Sequence, residues 1–143
     1  MIIVNIIIVG CGRLGSILAN ELSDAGHNIS VIDRDIERLD MLGSGFNGLK
    51  IRGIEYDDDV LKEAGILTSH VMLAVTSDEK INITVSLVAK KIYGVPRIIA
   101  RIVNTNSADI YDKLEIETIN PIQVGVDILK DKLRVSDEPK EWV

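Results

Sequence analysis

Cysteine and aromatic residues are scarce in this sequence. Its 143 residues include one cysteine, one tryptophan, one phenylalanine and three tyrosines. A single cysteine excludes an internal disulfide and a cysteine-rich metal site. Because aromatics are so few, isoleucine, valine and leucine must build the core, a composition typical of a parallel sheet buried on both faces. The length fits one domain.

Basic clusters and long apolar segments are also missing. Lysine and arginine number 16 against 22 acidic residues, a formal net charge of −6, which disfavours a nucleic-acid partner because phosphate backbones bind clustered cations. The apolar N-terminal run is too short to span a bilayer and lacks the features of a signal peptide. We therefore expect a cytoplasmic protein that does not insert into a membrane. His27 and His70 have no partners at metal-ligand spacing, so we predict no metal site.

A glycine motif follows the first apolar run. Residues 4–15 read VNIIIVGCGRLG, with G-x-G-x-x-G between a predicted strand and a predicted helix. In a dinucleotide-binding turn, Gly10 allows the tight bend, Gly12 lets a pyrophosphate approach the backbone, and Gly15 lets the helix pack closely on the strand. The helix N-terminus adds unpaired N–H groups and a positive dipole end. The candidate phosphate-binding residues are Gly10, Cys11, Gly12, Arg13, Leu14 and Gly15.

An acidic residue ends the next predicted strand. Asp33 lies eighteen residues after Gly15, close to the spacing of a carboxylate that binds ribose hydroxyls. Such a carboxylate repels a 2′-phosphate, although the guanidinium of Arg34 could pair with one. The alternative is that the glycines serve packing alone and that Asp33 caps the next helix.

Two side chains inside the glycine motif have open roles. A cation at the start of a helix opposes the macrodipole. Arg13 is therefore expected either to turn toward phosphates, in its own site or a neighbouring subunit's, or to remain solvated. Cys11 is interpreted as a small residue that fills the turn, with redox sensing at the helix N-terminus as the alternative.

Aliphatic strands alternate with helical patterns along the chain. The alternation predicts a doubly wound α/β fold with six parallel strands in the order 3-2-1-4-5-6. We expect a single nucleotide-binding domain over residues 1–134 and a flexible tail over residues 135–143. Thr76 and Glu79 fit a capping box at the start of a long helix. The predicted strands are Ile2–Val9, Asn28–Asp33, Leu49–Gly53, Val71–Val75, Arg97–Val103 and Ile116–Ile119.

The sequence carries no catalytic constellation. It has no G-x-S-x-G motif. A short-chain dehydrogenase needs a lysine four residues after its tyrosine. At that distance from Tyr56, Tyr93 and Tyr111 the chain has Val60, Arg97 and Glu115. The scaffold also takes up the whole chain and leaves no substrate domain, so we predict no catalytic residues and no enzyme activity.

Several segments together resemble the N-terminal nucleotide-binding domain of the Trk/Ktr-type potassium-uptake regulators, the KTN or RCK domain. The resemblance covers about residues 1–130 and rests on GCGRLGSILANELSDAGHNISVIDRD, VLKEAGI, VMLAVTSDE, GVPRIIARI and the helix after Pro121. It implies a cytosolic, non-catalytic subunit that forms dimers and rings beneath a membrane potassium channel or transporter. It also implies that binding of NAD(H) or ATP/ADP changes the ring's shape and gates ion flow.

The resemblance also implies site residues. The phosphate site falls at Gly10–Gly15, the ribose site at Asp33, and a second cofactor contact at Arg101, at the end of the fifth predicted strand. Thr76, after the fourth strand, is a further candidate contact. The carboxyl ends of parallel strands are where such folds bind ligands, which agrees with these positions. The alternative for Arg101 is a side chain that faces solvent.

The sequence departs from the family in three places. After the third strand the family's Gly-Asp-small pattern is replaced by Gly53-Ile54-Glu55, so that Ile54 removes a carboxylate and Glu55 adds a longer one. Lys80 stands where the family often has an acid. A further C-terminal ligand-binding module is missing, which fits a minimal regulator, one member of a two-gene pair, or a shortened chain. Ile54 and Glu55 remain candidate nucleotide contacts, and the nucleotide's identity stays open.

Three functions follow from these observations. The first is a regulatory subunit that senses an adenine nucleotide and acts on a membrane partner. The alternative from another class is the cofactor-binding subunit of an NAD-dependent oxidoreductase whose substrate half lies on a separate chain. The third is an assembly module whose site is vestigial.

Overall fold

A computed structural model describes residues 2–134, which form a single six-stranded sheet. All strand pairs are parallel and the order is β3-β2-β1-β4-β5-β6, which confirms the predicted doubly wound fold. The predicted tail at 135–143 lies outside the described residues. The strands are β1 Asn5–Val9, β2 Asn28–Asp33, β3 Leu49–Arg52, β4 Val71–Ala74, β5 Arg97–Arg101 and β6 Glu117–Ile119.

Helices cover both faces of the sheet, because each strand is followed by a crossover. One core contains residues of β1, β4 and β5 packed with Leu61, Val85 and Tyr111. The other contains alternate residues of β1 and β2 packed with Ala19 and Leu39. Within residues 2–134 no helix is both long and apolar enough to span a bilayer. The helices are α1 Arg13–Asp24, α2 Ile36–Asp40, α3 Asp58–Glu63, α4 Glu79–Lys91, α5 Ala108–Lys113 and α6 Pro121–Leu133.

The first strand is shorter than predicted. It begins at Asn5 rather than Ile2, because its neighbours β2 and β4 begin opposite Asn5 and Ile6 and leave the preceding residues without a ladder partner. Histidine side chains hold this end instead. Nδ1 of His70 accepts a hydrogen bond from Asn5 N at 2.9 Å, and Nδ1 of His27 accepts one from Val4 N at 3.2 Å.

The predicted capping box at the start of α4 is wrong. The N-cap is Asp78, whose side chain accepts from Lys80 N. Thr76 instead forms a turn of its own, because its Oγ1 accepts from Asp78 N at 3.1 Å. Glu79 therefore does not reach back to Thr76, and its carboxylate points to the loop after β5.

Candidate functional site

The candidate site lies at the carboxyl edge of the sheet, where the strand order reverses between β1 and β4. Open α/β sheets bind ligands at this switch point. Gly10 follows β1 with φ of 106°, a left-handed conformation that favours glycine. A Cβ on Gly10 would lie 2.8 Å from Thr76 N and 2.9 Å from Thr76 Cα. The turn after β1 therefore packs directly against the backbone after β4.

Helix α1 begins in this crevice without a capping side chain. Its N-cap is Gly12, no side chain of the described residues caps it, and its first turn contains no acidic residue. Among the α-helices of residues 2–134, only α1 and the six-residue α5 lack a side-chain cap. The other N-caps are Asp35, Asp57, Asp78 and Asn120. The first N–H groups of α1 have no intrahelical partner, so the protein leaves them available for an anion.

The other two glycines of the motif have the geometry that such a turn requires. A Cβ on Gly15 would overlap the carbonyl oxygen of Gly10, so only glycine allows α1 to pass this close to the turn. A Cβ on Gly12 would meet no atom of residues 2–134 within 4 Å. The space beside Gly12 is thus open to a ligand.

Asp33 lies beneath the glycine turn at the end of β2 and is 2% exposed. Its Oδ2 accepts from Cys11 N and its Oδ1 from Asp35 N, each at 2.9 Å. Asp35, not Asp33, caps α2, so the alternative role of Asp33 as a helix cap is wrong. A carboxylate offers about four lone-pair sites, and further acceptor capacity remains on Asp33 for a hydroxyl.

Arg34 is bound to Glu55 across the ends of β2 and β3. The guanidinium NH2 lies 2.7 Å from Glu55 Oε1, and Nε lies 2.9 Å and 3.1 Å from the two carboxylate oxygens. Hydrogen bonding and charge from Glu55 raise the pKa of Arg34 above its ordinary value. Glu55 is buried, whereas Arg34 and Ile54 are exposed to solvent. Of the two hypothesised adenosine-side residues, Glu55 is thus one partner of this ion pair and Ile54 precedes it at the surface.

A cleft of about 460 Å³ opens beside that ion pair. It separates the start of α4 from the ends of β2 and β3. Lys80, which departs from the family pattern, lies in its wall and gives the cleft a second cation. The lining residues are Arg34, Tyr56, Asp78, Lys80, Ile81 and Thr84.

Cys11 is enclosed by the turn and fully buried. Its Sγ donates to Arg38 O at 3.2 Å. Burial, together with the negative charge of Asp33, raises the pKa of the thiol to about 11. A reactive cysteine needs a lowered pKa and access to solvent. The structure therefore favours the packing role over redox sensing.

Arg101 lies at the end of β5, on the sheet face that α1 covers. Leu73 packs in the core that contains the α1 residues Leu14 and Leu18. Ile99 pairs with Leu73 in the strand register, and Arg101, two residues later, lies on the same face. Arg101 Nε is buried and has no hydrogen-bond partner within residues 2–134. A buried donor without a partner is costly, so a side chain that simply faces solvent does not describe Arg101. Arg13, by contrast, is exposed and forms no ion pair in the described chain.

Asn82 joins the ends of β4 and β5, a role that sequence reasoning missed. Its Nδ2 donates to Thr76 O and Arg101 O, both at 3.0 Å, and its Oδ1 accepts from Thr76 N at 3.0 Å. The side chain is 1% exposed. The available signal was an asparagine on the apolar face of α4, beside the buried Val85 and Ala89. Through Asn82, two candidate contacts, Thr76 and Arg101, are held by one residue.

Glu79 binds the loop after β5, and this role was also missed. Its Oε1 accepts from Val103 N at 2.8 Å and Asn104 N at 3.2 Å, and its Oε2 accepts from Ser107 Oγ at 3.0 Å. Burial alone would raise the pKa of Glu79, but these bonds outweigh burial and lower it. Burial and the neighbouring carboxylate raise the pKa of Tyr111 to about 12.

Curated relatives of this chain are potassium uptake proteins. It is 38% identical over 138 residues to the Trk system potassium uptake protein TrkA of Streptomyces coelicolor, covering 96% of this chain and 62% of that protein. It is 30% identical over 121 residues to the TrkA homolog of Pyrococcus horikoshii, covering 84% of this chain and 53% of that one. The chain thus spans about half to three-fifths of these relatives.

Several solved structures share the fold of this chain, and the sequence profile of one family matches its sequence. The TrkA-N domain of the inner membrane protein ybaL from Escherichia coli has a TM-score of 0.80 at 17% identity, covering 93% of this chain and 99% of that domain. GsuK bound to ADP has a TM-score of 0.72 at 24% identity over 88% of this chain and 32% of that one. The GsuK channel bound to NAD has a TM-score of 0.70 at 16% identity over 82% of this chain and 21% of that one. The TrkA-N domain profile matches residues 6–121, and the chain belongs to the TrkA-N domain family.

Proposed function

We propose that this chain is a nucleotide-sensing regulatory subunit of a membrane potassium channel or transporter. The observation that carries the proposal is the uncapped start of α1, open at Gly12 and flanked by Asp33. The name of the curated relatives supports the role in potassium uptake. The nucleotides bound by GsuK support NAD(H) or ATP/ADP as the ligand.

In this proposal each part of the crevice binds one part of the nucleotide. The first N–H groups of α1 bind phosphate oxygens, because they and the helix dipole favour an anion. Asp33 binds the ribose hydroxyls with its remaining acceptor capacity. Arg101 completes the site, since a ligand oxygen would satisfy its buried Nε. Arg13 is exposed and reaches toward phosphates of its own or a neighbouring subunit's ligand.

The site binds a ligand but performs no chemistry. Proton transfer needs a titratable group within reach of the substrate and poised to exchange a proton. Asp33 is held by two backbone N–H groups, Glu55 by Arg34, and Glu79 by the loop after β5. Each of these carboxylates is thus held in place by hydrogen bonds within the protein, and Asp33 has acceptor capacity left only for hydroxyl groups of a ligand. We place the subunit in the cytoplasm, at the inner face of the membrane through its partner.

The last helix supports assembly into a homodimer or a larger ring. No residue of α6 is buried within residues 2–134. Four of its apolar side chains recur at the helical spacing of one stripe, and two of them, Ile122 and Leu129, are 68% and 61% exposed. Such a stripe is typical of a helix that packs against a partner. The stripe consists of Ile122, Val126, Leu129 and Leu133.

Regulation then follows from linkage between the site and the assembly. A ligand shifts an equilibrium between two subunit arrangements only by its differential affinity for them. The crevice borders the α1 face on which Arg101 lies, and Asn82 ties Arg101 to Thr76. Binding at this edge would favour the arrangement that leaves these groups in contact with the nucleotide.

Thermal unfolding with NADH, ATP, ADP and AMP tests the ligand assignment. A ligand at about 100 times its Kd adds roughly 2.7 kcal/mol to the free energy of unfolding. We expect at least one nucleotide to raise the Tm, and Asp33→Ala to lose most of this shift relative to its own ligand-free Tm. Asp40→Ala, at an exposed position on α2, is the control and should keep the shift. No shift with any nucleotide would favour the vestigial site.

Analytical ultracentrifugation tests the assembly. Leu129→Lys places a charge in the α6 stripe and should weaken self-association. Asp131→Lys introduces the same side chain on the opposite side of the helix and should leave association intact. Equal sedimentation of both variants and the wild type as monomers would contradict the proposed dimer.

A further inference from the structure

The ribose-binding carboxylate and the side chains beside it determine whether a dinucleotide fold accepts a 2′-phosphate. An arginine near this position accommodates the 2′-phosphate of NADP, whereas a carboxylate binds the free 2′-hydroxyl of NAD. This chain has both, because Arg34 directly follows Asp33. From the sequence alone, Asp33 therefore predicts NAD as the ligand and Arg34 predicts NADP.

The structure resolves the conflict through Glu55. Its carboxylate, on the turn after β3, makes three contacts of 2.7–3.1 Å with the Arg34 guanidinium. Glu55 is 3% exposed, so the acceptor is fixed in place while the arginine comes to it from the surface. A planar guanidinium can bind a phosphate through two parallel hydrogen bonds. In Arg34 the Nε and NH2 donors that would form such a pair are occupied by Glu55.

The charges around Asp33 also oppose a second phosphate. Arg38 lies 3.6 Å from Asp33 Oδ1 and 3.9 Å from Asp35 Oδ2. Together with the Arg34–Glu55 pair, this cluster contains three carboxylates and two guanidinium groups, and it carries one net negative charge. A 2′-phosphate would bring further negative charge to this cluster, and repulsion between like charges disfavours its binding.

We propose that Glu55 is a specificity-determining residue that makes the site select adenine nucleotides with a free 2′-hydroxyl, by holding Arg34 in an ion pair. The inference rests on the proposed nucleotide site and adds its selectivity. Glu55 acts through Arg34 and is therefore a positioning residue. The ligands selected by the site are NAD(H) and 5′-adenine nucleotides, and NADP(H) and other 2′-phosphorylated nucleotides are disfavoured.

The test compares two ligand pairs that differ only by a 2′-phosphate. Isothermal titration measures Kd for NADH against NADPH, and for 5′-AMP against adenosine 2′,5′-bisphosphate. We expect the wild type to bind the 2′-phosphorylated member of a pair at least about tenfold more weakly. Glu55→Gln keeps the shape of the side chain and one acceptor but removes the charge, so the ratio should fall by about tenfold, which corresponds to roughly 1.4 kcal/mol.

A double variant separates selectivity from structural damage. In Arg34→Gln with Glu55→Gln no guanidinium remains at position 34, and the preference for the free 2′-hydroxyl should return to at least the wild-type ratio. A fold defect would instead weaken the binding of both ligands of a pair to the same extent and leave the ratio of their Kd values unchanged. The ion pair's role is overturned if Glu55→Gln binds NADH or 5′-AMP normally with an unchanged ratio, or if the wild type shows no preference. Failure of the wild type to bind any of NADH, 5′-AMP, ADP and ATP, none of which carries a 2′-phosphate, overturns the proposed function itself, and the inference with it.

Discussion

Gly15 lies against Gly10 so closely that a Cβ on Gly15 would overlap the carbonyl oxygen of Gly10. The obstacle is backbone, which cannot rotate away as a side chain does. We expect Gly15→Ala to displace α1 from the turn and lower the free energy of unfolding by about 1–3 kcal/mol. Urea denaturation monitored by circular dichroism measures this loss.

Gly12→Ala is the matched control within the same motif. A Cβ there meets no atom of the described chain, so the free energy of unfolding should change by less than about 1 kcal/mol. Nucleotide affinity should nevertheless fall, since the methyl group occupies the space through which a phosphate reaches the backbone. Equal stability loss in both variants would contradict this picture of the turn.

Asp33 should contribute to folding as well as to binding. Asp33→Asn replaces one acceptor oxygen by an NH₂ group, so either Cys11 N or Asp35 N loses its partner. A buried N–H left unpaired costs about 1–3 kcal/mol, which urea denaturation should detect. Asp35→Asn is the comparison, because asparagine caps a helix about as well as aspartate, and its effect should be within about 0.5 kcal/mol.

The loop after β5 should loosen in acid. The pKa of Glu79 is lowered in the folded state by its hydrogen bonds to Val103, Asn104 and Ser107. Its stabilising effect is thus fully present above the unfolded value of about 4.3 and is lost as the pH falls through the lower folded value. Glu79→Gln should be less stable than the wild type at pH 7, and the difference should shrink below about pH 4.

Urea denaturation at several pH values measures this dependence. Glu63→Gln, at an exposed position on α3, is the matched control and should keep the wild-type pH profile. A constant difference between Glu79→Gln and the wild type from pH 7 to about pH 3 would show that charge plays no part.

Cys11 should react slowly with iodoacetamide in the native protein. Its thiol is buried and its pKa is raised to about 11, so little thiolate exists at pH 8. Because the thiol is enclosed, the reagent reaches it only when the turn opens transiently. Mass spectrometry should show labelling many times faster in denaturing urea. Rapid native labelling would return redox sensing to consideration.

Much of the fold was predictable because its signals are local and repeated. Strand order, parallel pairing and the glycine turn follow from aliphatic runs separated by helical patterns, and the structure confirms them. The start of β1 was not predictable, because Ile2 and Ile3 are as apolar as a strand requires but pair with no strand of residues 2–134. Strand ends depend on the neighbours and not on the residues alone.

Site details that depend on distant pairs were harder to predict. Glu79 fits a capping box in sequence, yet its partners lie in the loop after β5, about 25 residues away. The pairing of Arg34 with Glu55 likewise joins two strand ends that the sequence separates. Asp33 was identifiable because its position follows from the strand itself. Predictable residues are those whose role is fixed by their own element.

The bare N-terminus of α1 has a consequence for the protein without its ligand. A side-chain cap is typically worth about 1 kcal/mol, and no side chain of residues 2–134 supplies one at α1. Amide protons of Arg13 and Leu14 should therefore exchange with solvent quickly in the empty protein and become protected when an anion occupies the turn. In the proposed complex, the bound phosphate takes the place of the absent side-chain cap, so the first turn of α1 is fully hydrogen-bonded only when the ligand is present.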